Sequence, residues 1–224
     1  MIEVILDTET TGLSTNEKHR IVEIACIELN NQIPTNNIFH QYINPQRQVS
    51  DEAYKIHGYS DKFLSEKKTF SEIVENFLSF IKNKKLVIHN AVFDMSFLNY
   101  ELKLINKKEI EFKNVIDTLE IARQKFPGLH NSLDALCKRF NIDNSKRIKH
   151  SALTDCELLK EVYINLLDQK EPKLNLETVA IIEESKNIFR EGNIRLKKII
   201  KPSSDEKNLH KNYLTSSLKK NFYN

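Results

Sequence analysis

A chain of 224 residues is long enough to bury one substantial core, with length left for a smaller second element. With 40% hydrophobic and 29% charged residues, its composition is that of a soluble globular protein. Three scattered cysteines argue against a disulfide scaffold, and no apolar run approaches the roughly 20 residues of a membrane helix, so we expect a cytoplasmic protein.

The net charge of +3 is unevenly distributed along the chain. Residues 1–168 contain 22 Lys and Arg against 24 Asp and Glu, whereas residues 169–224 contain 12 against 7. The segment "DQKEPK" (168–173) also breaks the helical pattern, so we predict a domain over 1–168 and a basic C-terminal extension over 169–224. The charge of this extension fits a partner-binding tail and equally a merely solvated one.

The first predicted elements are three strands. They are the apolar, β-branched stretches "IEVILD" (2–7), "IVEIACIEL" (21–29) and "FHQYI" (39–43). Such stretches predict adjacent strands of one sheet.

Helices and strands alternate after these three strands. The sequence predicts a helix over 69–83 that Thr69 or Ser71 caps, a strand over 86–90, a helix over 93–106, a strand running into a helix over 114–126, and helices over 132–142 and 151–167. This order predicts an α/β domain in which helices cover a mixed sheet.

Four acids and one histidine lie at the ends of these elements. Asp7 and Glu9 share one side of the first strand, because residues i and i+2 of a strand point the same way. Asp94 follows "HNAVF", and "HSALTD" places His150 five residues before Asp155. If His150 belongs to the loop before the last helix, as "KRIKH" indicates, its side chain can lean towards Asp155.

Carboxylates gathered in one place raise one another's pKa unless a cation neutralises them. Oxygen ligands suit Mg²⁺ or Mn²⁺, and the lack of a Cys and His cluster argues against zinc. Two such ions about 3.5–4 Å apart would hold the attacking and leaving oxygens of a phosphoryl transfer, and a histidine would supply a base. Taken singly, an acid at a strand end is more often a solvated cap, and Asp94 is more often a helix cap.

The motifs "DTETTGL", "HNAVFD" and "HSALTD" resemble the three exonuclease motifs of the DnaQ-like 3′→5′ exonuclease superfamily, in the DEDDh subgroup. The stretches "NPQRQVSDEAYKIHGYSDKFL" and "FPGLHNSLDALCKRFNIDNSKR" extend the resemblance over residues 1–168 to the bacterial family of DNA polymerase III proofreading (epsilon) subunits. The resemblance implies an RNase H-like exonuclease fold, a mixed central sheet flanked by helices, followed by a flexible C-terminal tail.

The same resemblance implies roles for the five motif residues. Asp7 would bridge two Mg²⁺ or Mn²⁺ ions, Glu9 and Asp155 would complete the ligation of the first, and Asp94 would hold the second largely through water. His150 would be the general base that takes a proton from the attacking water.

Residues that hold the terminal nucleotide are implied in the same way. They are Asp7, Glu9, Glu52, His57 and Asp155. Phe93 and Leu13 are candidates to pack on or wedge between the last bases, although Phe93 is equally well explained as core. Gly58, one of only four glycines, favours a turn directly after His57.

The function implied is removal of mispaired nucleotides from DNA with a single-stranded or frayed 3′ end. The implied partners are the catalytic (alpha) subunit of polymerase III and a small accessory subunit. Past Leu167 we find no convincing match to the family's polymerase-binding tail, so a tethering role there depends on charge and on two amphipathic stretches, 176–189 and 194–200.

Two other functions compete with this one. A free-standing exonuclease of the same superfamily that trims RNA or short oligonucleotides would carry the same motifs. A non-catalytic module that stabilises a polymerase would keep the fold alone, but the five filled catalytic positions argue against it.

Overall fold

The computed structural model describes residues 2–145, 147, 149–167 and 202–216. The chain divides into two units, Met1–Lys173 and Leu174–Asn224, which are described separately. The predicted boundary at 168–173 and the amphipathic stretches 176–189 and 194–200 lie outside the described residues.

A five-stranded mixed sheet forms the centre of the first unit. Its strands are β1 (Ile2–Thr10), β2 (Ile21–Asn30), β3 (Ile33–Tyr42), β4 (Lys85–Ile88) and β5 (Val115–Asp117), in the order β3-β2-β1-β4-β5. β2 pairs antiparallel with both β1 and β3, whereas β4 pairs parallel with both β1 and β5. The predicted mixed sheet with three adjacent N-terminal strands is confirmed.

Helices pack on both faces of this sheet. The helices of this unit are α1 (Asp51–His57), α2 (Asp61–Ser65), α3 (Phe70–Ile81), α4 (Ala91–Leu104), α5 (Thr118–Lys125), α6 (Leu133–Phe140) and α7 (Ala152–Leu166), with 3₁₀ turns at Thr15–Glu17 and Phe112–Asn114. In the second unit the described residues form α8 (Ser204–Ser216). The sequence had not predicted α1, α2 or α8.

Alternation along β1 divides the apolar core into two layers. Leu6 points to the layer formed with α3 and α4, where Phe77 and Phe97 are fully buried. Ile5 points to the opposite layer, formed with α5, α6 and α7, which contains Leu159. The sheet therefore holds α4 on one face and α7 on the other.

Two strands are longer than predicted. β1 continues to Thr10, so Asp7 and Glu9 lie within the strand and pair with Ala25 and Glu23 of β2 rather than following its end. β3 begins at Ile33 instead of residue 39, because its first half is a largely exposed edge whose side chains show no apolar pattern.

Local chemistry sets the helix starts. α3 begins at a capping box in which the Thr69 N–H donates to the Glu72 carboxylate at 2.7 Å, so Thr69 is the capping residue rather than Ser71. α1 and α2 are each capped by a serine, Ser50 and Ser60, whose hydroxyl accepts from a backbone N–H of the first turn.

Cys26, Cys137 and Cys156 are all buried and not disulfide-bonded. None of the helices in the described ranges has the length and apolarity needed to cross a bilayer.

Candidate active site

Three of the predicted acids meet because β1 and β4 run parallel. α4 follows β4 directly, so its first turn lies at the end of β1. Asp94, buried in that turn, accepts hydrogen bonds at its Oδ1 from the backbone N–H and the hydroxyl of Thr8, at 3.0 and 2.7 Å. Thr8 lies between Asp7 and Glu9, so these two bonds tie Asp94 to the strand that carries both acids.

The start of α7 brings the last two predicted residues to the same place. His150 precedes the capping residue Ser151, and Asp155 is buried in the first turn of the helix. The Nδ1 of His150 lies 3.5 Å from the Oδ2 of Asp155. Glu9, His150 and Asp155 each offer one ligand atom, and these atoms all lie within 4.8 Å of one another.

The acids of β1 are poorly neutralised by their surroundings. Burial, followed by the charges of Asp94 and Asp155, raises the pKa of Asp7 well above its usual range. Burial and the charges of Asp155 and Glu23 raise the pKa of Glu9 to about 8. A divalent cation among these oxygens would favour the ionised forms, so the donor set fits such an ion.

Burial also raises the pKa of Asp94 to about 7, although the hydrogen bonds from Thr8 oppose this shift. Asp155 behaves differently. Its burial favours the neutral acid, but the neighbouring side chain of His150 and the hydrogen bonds from Arg147 together hold its pKa below the usual value.

Arg147 is a site residue that the sequence analysis missed. Its Nε and Nη2 donate to the two oxygens of Asp155 at 2.5 and 2.7 Å, and Nη2 also lies 2.9 Å from the Nδ1 of His150. Its Nη1 donates to Asp134 of α6 at 2.8 Å. The basic run "KRIKH" was the available signal, but it gave no indication of which acid the arginine would pair with.

Glu23 of β2 is a second residue that was missed. It is fully buried, and its carboxylate accepts four hydrogen bonds of 2.7 to 3.0 Å, from His40, Tyr59, Ser151 and the backbone N–H of Ala152. Because two of the donors begin α7, Glu23 anchors the helix that carries Asp155. Glu23 lies inside the predicted strand over 21–29, and its position there gave no indication of a role in the site.

A cleft of about 510 Å³ lies beside the acids, between β1, α1 and the start of α4. Its lining includes Glu9, Leu13, Glu52, His57 and Phe93. Leu13 is 81% exposed, which leaves its side chain available to a ligand. Phe93 both lines the cleft and packs on Phe97, with ring centroids 5.0 Å apart, so it also serves the core.

His57 contributes an unpaired polar atom to this lining. Its Nδ1 accepts from the Tyr59 N–H at 3.0 Å and its ring stacks on Tyr59, whereas the buried Nε2 has no hydrogen-bond partner among the described residues. Burial lowers the pKa of His57, which favours the neutral ring. Gly58 follows in the left-handed region at φ 79°, so the predicted turn is confirmed.

This fold and this acidic site together define a class of protein, and comparison of the chain with known proteins identifies that class. A family model described as "Exonuclease" matches residues 4–163. The chain belongs to this exonuclease family and is an enzyme that hydrolyses nucleic acid from the 3′ end.

Its relatives specify the branch of the family. The DNA polymerase III subunit epsilon of Rickettsia felis is 46% identical over 222 residues, which cover 97% of this chain and 97% of the relative. The chain therefore belongs with the DNA polymerase III epsilon subunits. The match runs through most of residues 169–224, so the expectation that the resemblance ends near Leu167 is wrong.

Solved structures agree on the fold. Exonuclease X in complex with 5′ overhanging duplex DNA has a TM-score of 0.60 and 26% identity, over 75% of this chain and 92% of that one. The nuclease domain of 3′hExo, a DEDDh family member bound to rAMP, has a TM-score of 0.66 and 20% identity, over 75% and 92%. The predicted RNase H-like exonuclease fold is confirmed.

Proposed function

We propose that the chain is the proofreading subunit of a replicative DNA polymerase and removes mispaired nucleotides from the 3′ end of the growing strand. The observation that carries this proposal is the meeting of Asp7, Glu9, Asp94 and Asp155 beside His150, next to a cleft of about 510 Å³. The epsilon-subunit relatives support the polymerase context.

The acids would hold two Mg²⁺ or Mn²⁺ ions. The charges of Asp94, Asp155 and Glu9 all raise the pKa of Asp7, so Asp7 lies within reach of the other three acids and would bridge both ions. Glu9 and Asp155 would complete one ligand set, and Asp94 would serve the other. Ions bound in this way stabilise the negative charge that develops on the phosphate during hydrolysis.

His150 would accept the proton of the attacking water. Its ring is about half exposed, so water reaches it, and its backbone N–H donates to the carbonyl oxygen of Ile56 at 3.2 Å. Ile56 lies in α1 and lines the cleft. This contact fixes His150 relative to the α1 wall of the cleft, where the terminal nucleotide would lie.

The cleft would take the terminal nucleotide itself. Glu52 and the unpaired Nε2 of His57 offer polar contacts, and Leu13 and Phe93 offer apolar surface for a base. Only an unpaired nucleotide enters such a cleft, because breaking base pairing and stacking costs free energy. Selection for frayed ends follows from this cost.

The proposed partners are DNA with a single-stranded or frayed 3′ end, the catalytic (alpha) subunit of polymerase III and a small accessory subunit, and the proposed compartment is the cytoplasm. The names of the relatives support the polymerase assembly. The basic extension over 169–224 would provide the tether to the catalytic subunit.

The test uses 5′-labelled primers that are matched or mispaired at the 3′ end. We expect release of nucleoside monophosphates, faster from the mispaired end, which stops with EDTA and resumes with Mg²⁺ or Mn²⁺. His150→Gln should lower the rate by about 10²–10⁴-fold, whereas His210→Gln on the exposed α8 should not change it. Equal rates on both primers, nicking of circular DNA, or a preference for RNA would contradict proofreading.

A further inference from the structure

One oxygen of the buried Glu23 carboxylate receives hydrogen bonds from both sides of the proposed site. The Tyr59 hydroxyl donates to Oε2 at 2.8 Å, and the backbone N–H of Ala152, in the first turn of α7, donates to the same oxygen at 2.9 Å. Tyr59 lies in the loop between α1 and α2, so this oxygen joins that loop to the helix that carries Asp155. Hydrogen bonds to a charged acceptor such as this carboxylate are stronger than those between neutral groups.

Tyr59 also supports the side chain of His57, which lines the cleft. The Tyr59 ring stacks on the His57 ring, with centroids 4.8 Å apart and an interplanar angle of 25°. The Tyr59 backbone N–H donates to the Nδ1 of His57 at 3.0 Å, so the proton of the neutral imidazole lies on Nε2. Tyr59 therefore fixes both the orientation and the tautomer of a group that the terminal nucleotide would meet.

The turn that contains Tyr59 lies against the segment that precedes α7. The backbone N–H of His150 donates to the carbonyl oxygen of Ile56 at 3.2 Å. The end of the Lys149 side chain lies directly over Gly58, where a β-carbon would collide with it. The proposed base and the turn beside the nucleotide are therefore in contact, and the Tyr59 hydroxyl adds a side-chain link that one substitution can remove.

We propose that Tyr59 is a positioning residue for hydrolysis, and that through Glu23 it holds the turn after α1 and the start of α7 in one fixed relation. This inference rests on the proposed function and adds to it a residue that does not itself line the cleft. Tyr59 acts through His57 on one side and through α7, with Asp155, on the other. A displacement between the terminal nucleotide and these groups slows hydrolysis, because the reacting atoms have to lie about 3–3.5 Å apart.

The test separates the hydroxyl of Tyr59 from its ring. Tyr59→Phe removes the hydrogen bond to Glu23 and keeps the stacking on His57, whereas Tyr59→Leu removes both. The matched control is Tyr163→Phe. The Tyr163 hydroxyl donates to the buried Glu3 at 2.9 Å, so this substitution removes the same kind of bond from α7, about 16 Å along the helix axis from its start.

Steady-state kinetics on a mispaired primer should distinguish the two variants. In Tyr59→Phe, turnover should fall about 3–10-fold, the magnitude of one hydrogen bond, while KM stays within about 2-fold of the parent value. In Tyr59→Leu, KM should also rise about 3–10-fold, because the His57 ring loses its aromatic neighbour. Tyr163→Phe should lose about as much stability as Tyr59→Phe and keep the kinetic constants of the parent.

Two further measurements test whether the effect passes through Glu23. Adding Tyr59→Phe to Glu23→Gln should lower turnover by less than about 2-fold, because the shared acceptor has already been altered. In the metal-free protein without substrate, hydrogen exchange at the Ala152 N–H should be about 3–10-fold faster in Tyr59→Phe and unchanged in Tyr163→Phe. Hydrogen exchange does not depend on nuclease activity, so it tests the link between the turn and α7 separately from the proposed function.

Parental turnover in Tyr59→Phe would overturn the inference. A higher KM with unchanged turnover would show that the hydroxyl meets the substrate directly, and the positioning role would be wrong. Fully additive losses with Glu23→Gln, or unchanged exchange at Ala152, would contradict it as well. Absence of hydrolysis by the parent enzyme, together with faster exchange at Ala152 in Tyr59→Phe, would count against the proposed function and support the link.

Discussion

The carboxylate of Glu23 accepts a hydrogen bond of 2.9 Å from the backbone N–H of Ala152, a residue 129 positions later in the chain. The hydroxyl of Ser151 donates to the same carboxylate at 3.0 Å. His150 directly precedes these donors and Asp155 follows in the first helical turn. A buried acid on β2 thus sets the position of both site residues contributed by the α7 region.

Glu23→Gln should therefore impair catalysis as well as stability. The amide keeps one acceptor oxygen but turns an N–H group towards other donors, so we expect a loss of about 1–3 kcal/mol in the free energy of unfolding. Glu23→Ala leaves all four donors unpaired and should cost about 3–5 kcal/mol. Urea denaturation measures these losses, and turnover on a mispaired primer measures the displacement of α7.

Glu101 provides a matched control for this prediction. It is also buried, and it accepts hydrogen bonds from Arg20 at 2.7 Å and from the Ile21 N–H at 3.2 Å. Glu101→Gln should lower stability to a similar extent and leave turnover unchanged. Full turnover by Glu23→Gln would show that the hydrogen bonds from α7 to Glu23 are irrelevant to the site.

The sequence was sufficient to predict elements whose signals are local. β-branched runs located all three N-terminal strands, and apolar stripes located α3, α4, α6 and α7. The short α1 and α2 lack such a stripe, and only their serine caps mark them. β3 was shortened in the prediction because an edge strand needs no apolar alternation.

The residues that the sequence did not reveal act through long-range contacts. Arg147 pairs with Asp155 across a loop, and Glu23 reaches α7 from a strand far away in sequence. Neither partner can be deduced from spacing, because each depends on how the helices pack on the sheet. For the five motif residues, the sequence predicted that they come together in one site but not which contacts each of them forms.

Raised acid pKa values predict an unusual pH dependence for the metal-free protein. Glu9 has a pKa of about 8 and Asp94 of about 7, against ordinary values of 4.5 and 3.8. Between the ordinary and the raised pKa of each acid, the folded state binds more protons than the unfolded state. Stability should therefore fall as pH rises from about 4.5 to about 8, on the order of 1 kcal/mol per pH unit for each such acid.

Urea unfolding in EDTA at several pH values between about 5 and 8 measures this slope. Saturating Mg²⁺ should flatten it, because a bound cation keeps the carboxylates ionised in the folded state. A metal-free protein whose stability stays constant or rises over this interval would refute the electrostatic account of the cluster.

Asp7→Asn should separate stability from activity. The change removes one charge from a group whose pKa is raised by burial and by Asp94 and Asp155, so the metal-free variant should be at least as stable as the parent. The exonuclease rate of this variant should fall by at least about 10³-fold, the largest loss among the four acids, because Asp7 of the parent would bridge both ions. Thermal unfolding in EDTA and single-turnover hydrolysis check the two expectations independently.

Arg147→Gln tests the competition for Asp155. In the parent, the guanidinium occupies both oxygens of Asp155, so a divalent ion has to compete with it for the carboxylate. The variant should bind Mg²⁺ about 3–10-fold more tightly by calorimetry, and its metal-free form should lose about 1–3 kcal/mol of stability.

Arg20→Gln breaks a similar two-bond pair with Glu101 away from the site, and should lower stability without changing Mg²⁺ affinity. Weaker Mg²⁺ binding by Arg147→Gln would show that the arginine supports the ion site instead.

Deletion of residues 170–224 tests the tether. The acids, His150 and the cleft lie within the first unit, so the truncated enzyme should hydrolyse free oligonucleotides at the parent rate. It should fail to co-purify with the polymerase catalytic subunit and should excise mispairs slowly during synthesis, because the effective concentration of the primer end falls. If the basic extension bound DNA instead, the truncated enzyme would show weaker affinity for single strands and a smaller salt dependence. Retention of the polymerase complex after truncation would place the contact within residues 1–169.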